Sequence, residues 1–353
     1  MNLPIAKASR RIAATVILST LTIQAQAQDQ KILVSIPSDQ ITAFCMGLRI
    51  ARHPNFPGPR TKYKLEYENV AMLIAQVPVN VANNQINIGE CSGISTVINA
   101  WNKGAKNLVV FAFGSLRPVF QLVTSTEISK LSDLKGKAIG IPGIQSAGAE
   151  AAETILRRGA NLLPQRDYDF VSVGAGPATM AAVIAKKVDA IPYFPPLSFE
   201  LEKYGMKILA DQATYAPQYV TGTHIVNREW AEKNRPQFIR LIKSMIETGD
   251  WLKDPKNEAE VVAWFGDNIS AGNQTKLDKA AAQRTYNFYI KDARLAFDGY
   301  APESSVRANL AILKERGYLK DSEIPPLGQV FDFSFLNQAL REMGRPEVKE
   351  FSK

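Results

Sequence analysis

Histidine and cysteine are almost absent from this chain. Its 353 residues hold two of each, His53 and His224, Cys45 and Cys91. The two histidines lie far apart and form no metal-ligand spacing of the kind zinc sites use. No G-x-S-x-G elbow and no P-loop pattern occurs either. Metal-assisted and triad-type catalysis therefore have little to draw on. Two cysteines exclude a disulfide-rich scaffold; one Cys45–Cys91 bridge and two buried core thiols are both open. Dense Lys/Arg blocks with interleaved aromatics are also missing, which argues against a nucleic-acid partner. No apolar run reaches the roughly 20 residues that a membrane-spanning helix needs.

What is present reads as an exported globular protein. Lys7, Arg10 and Arg11 precede a short apolar run, Ile12 to Ile23, that ends in Ala25-Gln26-Ala27. A basic start, a short apolar stretch and an A-x-A site predict a signal peptide over residues 1–27, cleaved after Ala27. Apolar residues make up 46% and charged residues 22%, ordinary values for a folded protein. Three of the eight net positive charges belong to that first segment and the rest are spread along the chain. Such a mild field suits a small anionic solute. The length predicts two domains.

Along the chain, extended and helical runs alternate. Lys31–Ile36 reads as a strand and Gln40–Arg52 as a helix. A strand over Tyr63–Val70 is followed by a helix over Met72–Asn83, which Pro78 should kink. Ile86–Ile88 is a brief strand, the helix after Gly93 runs through Trp101, and Asn107–Phe113 is a strand. This is the pattern of a parallel sheet covered by helices. The extended run Arg117–Thr124 then follows with only Gly114-Ser115-Leu116 between, which suggests the chain leaving one domain for another. A second alternation begins at Leu131, and Gln218–Val226 reads as the return crossing. The remainder is helical, with an amphipathic stripe over Arg235–Leu252 and further helices at 257–265, 277–289, 303–316 and 333–341.

Several strand-to-helix turns carry small polar residues: Ser38-Asp39, Gly89–Gly93 and Gly143–Gly148, with variants at Gly174 and Pro192. In open α/β sheets ligands bind at these strand ends, so together they point to a small-molecule cleft. Ser146 is a good N-cap, and the first amides of the helix it opens can hold an anion. Glu90 reads either as a contact for a cationic or hydroxyl-bearing group or as support for the next helix start. Cys91 is either an activated thiol at a helix start or a core thiol or disulfide partner. Arg117, at the crossing, either reaches a ligand anion or is solvated. Tyr193 and Phe194 are packing residues or an aromatic wall. Gly174-Ala175-Gly176-Pro177-Ala178-Thr179 misses the third glycine of the dinucleotide fingerprint, and Asp189 lies too close to serve as its acid.

Three segments carry a family resemblance: Asp133-Leu134-Lys135-Gly136-Lys137-Ala138-Ile139-Gly140-Ile141-Pro142-Gly143, Ala181 to Ala190, and Asn227 to Pro236 followed by Trp251. In these the chain resembles the periplasmic solute-binding proteins of ABC importers, in the group that takes nitrate, sulfonates, taurine and thiamine-precursor pyrimidines. The resemblance implies an α/β, two-lobe type II periplasmic binding protein fold with a two-stranded hinge. Lobe 1 would be residues 28–116 plus 219–353 and lobe 2 residues 117–218. It implies ligand contacts at Ser38, Asp39, Gln40, Glu90, Cys91, Ser92, Gln145, Ser146, Ala147, Tyr193 and Thr221; Arg117, from its own place at the crossing, is the candidate counter-charge. No catalytic residue, metal or cofactor is implied. The partners would be a small, anionic solute, a sulfonate or a carboxylate, and a membrane permease; the protein would be periplasmic and monomeric. An enzyme of pyrimidine-precursor type on the same fold and a ligand-sensing partner of a receptor are the alternatives. The chain departs from the family pattern at Ile144-Gln145-Ser146, at Glu90-Cys91-Ser92, and at Lys186-Lys187, where a glycine is usual before Val188-Asp189-Ala190.

Overall fold

The structure, a computed structural model, describes residues 31–36, 46–51, 60–72, 74–269 and 276–352. The expected signal peptide, Ser38, Asp39, Gln40 and Cys45 lie outside the described residues.

Among the described residues ten strands form two five-stranded sheets. The first holds β1 (Ile32–Ile36), β2 (Tyr67–Ala71), β3 (Ile88–Ser92), β4 (Leu108–Phe113) and β10 (Thr223–Asn227), in the order β2-β1-β3-β10-β4. The second holds β5 (Gln121–Ser125), β6 (Ala138–Ile141), β7 (Asp169–Ser172), β8 (Ala190–Tyr193) and β9 (Met206–Asp211), in the order β7-β6-β8-β5-β9. β1 pairs parallel with β2 and β3, and β6 pairs parallel with β7 and β8. In each sheet, the strand entered after a crossing runs antiparallel between two neighbours: β10 between β3 and β4, β5 between β8 and β9. The sheets therefore share one topology. β3, inside the sheet, is buried along its whole length, as expected of a strand covered on both faces; β4 is equally buried although it ends the strand order, because its open edge bridges Phe331 and takes a hydrogen bond from Asp332 N to Val110 O at 2.9 Å.

Among the described residues the helices include α1 (Met46–Ala51), α2 (Val77–Ala82), α3 (Ile94–Asn102), α4 (Ala147–Ala160), α5 (Pro177–Ile184), α6 (Gln212–Tyr215), α7 (Arg228–Lys233), α8 (Arg235–Lys253), α9 (Glu258–Asn268), α10 (Lys279–Tyr286), α11 (Glu303–Glu315) and α12 (Ser334–Glu342), with single helical turns also at Arg60–Tyr63, Leu197–Glu200 and Leu327–Val330. Pro78 does not kink a long helix. A 3-10 turn over Ile74–Gln76 precedes α2, and Pro78 sits in its first turn, where the missing N–H has no partner to lose. The strand expected from Tyr63 begins at Tyr67, and α10 passes into a π-helical turn over Asn287–Lys291.

One core surrounds the first sheet and takes in α8, α11 and α12 through Phe238, Leu241, Val306, Leu310 and Phe335. The second core joins Val119, Phe120, Val183 and Tyr193 to Val261, Phe265, Phe288 and Tyr289. The chain from Leu252 to Leu295 thus leaves the first sheet's body and packs on the second. Tyr289 Oη donates to the Pro195 carbonyl at 2.7 Å, and Arg284 forks onto Glu202 at 2.6 and 2.8 Å.

Candidate functional site

The carboxyl ends of β3 in the first sheet and of β6, β8 and β9 in the second are where such folds gather ligands. β3 ends at Ser92, and Gly93 caps α3. β6 ends at Ile141, and a short turn leads to Ser146, whose Oγ accepts from Ala149 N at 3.2 Å and caps α4. The amides of Ala147 and Gly148 precede the first intrahelical bond and add to the positive end of a 14-residue helix. Two crossing segments join the sheets side by side. Ser115 Oγ donates to the Thr221 carbonyl at 2.6 Å, Thr221 N donates back to Ser115 Oγ at 2.7 Å, and Gly114 N donates to Gly222 O at 2.9 Å. This is a two-stranded hinge.

Beside the hinge, the two bodies meet in a buried charged cluster. Glu150, on α4, accepts from Ser95 Oγ of α3 at 2.8 Å and from Tyr219 Oη at 2.6 Å. Arg316, at the end of α11, donates through Nε to Glu153 at 2.8 Å and lies 3.7 Å from Glu150. Its side chain is 2% exposed, against 5% and 4% for the two carboxylates. Arg157 also holds Glu153, at 2.6 Å. Burial, together with the charge and hydrogen bond of Glu150, drives the Tyr219 hydroxyl pKa well above its ordinary value. Buried pairs of this kind contribute little net stability but are costly to break. A groove of about 380 Å³ runs alongside, lined by Ser95, Asn99, Gln145, Glu150, Arg316 and Tyr318 among others. A larger cavity of about 830 Å³ lies between α9 and α10, away from the strand ends.

A second fastening lies across the hinge. Arg294 grips Asp211 with both Nη atoms, at 3.1 and 2.9 Å, and donates to the Pro118 carbonyl at 2.7 Å. Its guanidinium rests on the Phe288 ring at 3.9 Å.

Of the residues expected from sequence, Glu90, Cys91, Ser92 and Thr221 are buried around the hinge end of the first sheet. Glu90 N donates to Ser35 Oγ at 3.0 Å. Cys91 is disulfide-bonded and adopts a left-handed φ of 59°, so it is not a free nucleophile. It packs in one cluster with Val119, Phe120 and Tyr193 of the other body. Ser92 Oγ and Thr221 Oγ1 are buried with no hydrogen-bond partner among the described residues. Ala147 is half-buried and Gln145 is exposed. Tyr193 stacks on Phe194 with centroids 5.4 Å apart, and Phe194 meets Phe120 edge-on at 5.4 Å. The Tyr193 hydroxyl donates to Gly176 O at 2.9 Å, and burial raises its pKa. In the near-miss glycine loop, Thr179 Oγ1 donates to Gly174 O at 2.6 Å and closes the turn on itself.

Arg117 follows the first crossing. It is exposed, and its Nη1 donates to the Asp292 carbonyl at 3.4 Å. Its backbone N bonds Arg294 O, and the cation buried at the crossing is Arg294. Sequence reasoning missed Ser95, Glu150, Tyr219, Gln212, Arg294 and Arg316. Glu150, Glu153 and Arg157 share one face of α4 at i, i+3 and i+7, which reads as a solvated stripe until α11 covers it. Among the described residues no group of three or more His, Cys, Asp or Glu side chains is placed to hold a metal ion, and no helix is long and apolar enough to cross a membrane.

Comparison with known proteins agrees with this architecture. The sequence model described as NMT1/THI5 like matches residues 74–258, just over half of the chain. A protein of Brachyspira hyodysenteriae named as an ABC transporter periplasmic binding protein is 26% identical over 167 residues. That match covers 46% of this chain and 46% of the relative, so the chain spans about half the length of the curated relative it matches. The alkanesulfonate-binding protein of Xanthomonas axonopodis pv. citri, solved bound to MOPS, superposes with a TM-score of 0.64 at 16% identity, over 86% of this chain and 99% of that one. A desulfurization enzyme superposes with a TM-score of 0.59 at 14% identity, over 89% and 100%. At such identities the likeness establishes the fold, the two-lobe type II arrangement of the periplasmic binding proteins.

Proposed function

Because the chain belongs to the NMT1/THI5-like family, we propose that it is the solute-binding component of an ABC importer, capturing a small organic acid between two lobes. Lobe 1 is residues 28–116 with 219–353 and lobe 2 is residues 117–218; the excursion from Leu252 to Leu295 rides on lobe 2. The protein is exported to the periplasm, acts as a monomer and hands its solute to a membrane permease.

The observation that carries this reading is the pair of buried, unpartnered hydroxyls, Ser92 Oγ and Thr221 Oγ1, beside the hinge. Folded proteins rarely leave such groups unpaired, because each costs about 1–3 kcal/mol. A captured solute supplies the missing partners. The acidic group of the solute, a sulfonate or carboxylate, rests on the first amides of α4 beside Ser146, where the helix dipole favours negative charge. Phe120, Phe194 and Tyr193 form an apolar wall for its body. Arg117 takes no part. Hinge closure then traps the solute.

A thermal-shift panel of sulfonates, aromatic carboxylates, pyrimidines and inorganic anions tests this. A solute at 100 times its Kd adds about 2.7 kcal/mol, which raises the melting temperature by about 5 °C. Stabilisation by an organic acid recovered unchanged supports capture. Chemical conversion of the solute supports an enzyme on this fold instead.

A further inference from the structure

We infer that Gln212 is a further solute-contact residue, and that the solute therefore carries a hydrogen-bond donor in addition to its acidic group. The inference rests on the capture function proposed above and names the class of solute that the site takes.

Gln212 follows β9 directly. β5 runs antiparallel to both β8 and β9, and β8 runs parallel to β6, so β6, β8 and β9 share one direction. Their carboxyl ends, at Ile141, Tyr193 and Asp211, therefore lie on the same edge of the sheet, the edge at which such folds bind ligands. The position is held firmly. Gln212 N donates to Phe120 O at 3.0 Å, beside the ring that meets Phe194, and the preceding Asp211 is gripped by Arg294.

The side chain is fully buried, yet among the described residues neither Oε1 nor Nε2 has a hydrogen-bond partner. Gln121, opposite Asp211 on β5, supplies a contrast: it is also buried, but its Oε1 accepts from Ser198 Oγ at 2.7 Å. Burying an amide with both ends unpaired is unfavourable. A group outside the chain that supplies both a donor and an acceptor removes the penalty.

The chemistry of an amide then restricts the solute. Nε2 offers two donors and Oε1 needs one. Ser92 and Thr221 hydroxyls can donate or accept, so they adapt to either kind of group. Inorganic oxyanions and simple alkanesulfonates bring acceptors alone and leave Oε1 unpaired. The buried cations near the hinge, Arg294 and Arg316, are already committed to Asp211 and to Glu150 and Glu153. The site thus fits an amino- or hydroxy-substituted sulfonate or carboxylate.

The test uses matched probes on the mature protein by calorimetric titration: ethanesulfonate against 2-aminoethanesulfonate and 2-hydroxyethanesulfonate, and benzoate against 4-aminobenzoate and 4-hydroxybenzoate. In the wild type, a donor-bearing member should bind at least tenfold more tightly than its plain partner. Gln212→Met should reduce that preference to less than threefold while leaving the melting temperature of the solute-free protein unchanged or higher. Should the methionine variant fail to fold, Gln212→Glu keeps the shape and the acceptor; it should weaken every anionic probe yet retain the preference for donors. Equal binding within each pair, or a preference that survives Gln212→Met, overturns the inference and leaves Gln212 as a buried water site. Absence of binding by every probe to the wild type overturns the capture reading itself, without recourse to any variant.

Discussion

Replacing Arg316 with methionine should destabilise the protein far more than a surface substitution does. The methionine fills part of the same space, so packing loss is limited, but two carboxylates remain buried at 5% and 4% side-chain exposure without their shared cation. Breaking a buried pair from one side costs about 3–5 kcal/mol. Glu153 keeps Arg157 at 2.6 Å, and Glu150 keeps hydrogen bonds from Ser95 and Tyr219, which places the loss near about 3 kcal/mol. That corresponds to a fall in melting temperature of roughly 6 °C or more. Adding Glu153→Gln should restore part of the loss, since contacting residues couple in a double-mutant cycle by about 0.5–3 kcal/mol. Urea unfolding of the wild type, both single variants and the double variant reads all four corners. A loss below about 1 kcal/mol for Arg316→Met, or strict additivity, would refute the claim that this cluster fastens α4 to α11.

Ser146→Ala removes the cap on α4 and should cost about 1 kcal/mol of stability, together with a loss of solute affinity that titration would read. Gly249→Ala drives a Cβ into the Phe297 backbone carbonyl, a clash between α8 and the segment that packs on it, and should abolish soluble expression or lower the melting temperature beyond any surface change. Lys186→Gly should stabilise by a few tenths to about 1 kcal/mol in urea unfolding, because Lys186 holds a left-handed φ of 55° and its exposed contact to Glu127 is worth little. The buried hydroxyl of Tyr219 has a pKa raised well above 10.0, chiefly by desolvation and then by Glu150. Below pH 10 neither the folded nor the unfolded chain loses that proton, and the contribution is intact. As pH rises past 10 the unfolded chain ionises first, so stability falls; unfolding followed from pH 8 to 11 should show a smaller alkaline loss in Tyr219→Phe.

Much of the fold was legible because local chemistry and tertiary structure agree. Ser146 reads as an N-cap from its place before a helical run and caps α4; Pro177 reads as a first-turn residue and opens α5. The first crossing is legible at Gly114–Leu116, where two extended runs have almost nothing between them, and the return crossing over Gln218–Val226 in a run rich in β-branched residues. The usual glycine missing before Val188 was visible too, and its physical reason is the positive φ at Lys186. Long-range packing was not legible. Nothing around Leu252–Leu295 says that these helices pack on the second core, because that depends on Phe199, Phe288 and Arg294 meeting across distant sequence. Arg117 reads from sequence as a cation at a crossing that either reaches a ligand or is solvated; it is exposed, and the buried cation beside the hinge is Arg294, which carries no sequence signal. Gln212 carries no local signal at all. A glutamine after a strand is unremarkable until burial leaves both of its amide atoms unpaired.

The central claim is that the cleft captures a small organic acid reversibly and intact. Native mass spectrometry of the purified protein with the matched sulfonate and carboxylate probes tests it in one measurement. The account predicts a single adduct per chain whose added mass is that of the unaltered, donor-bearing probe, lost again on dilution. No adduct with any probe, or a released species of altered mass, would contradict it.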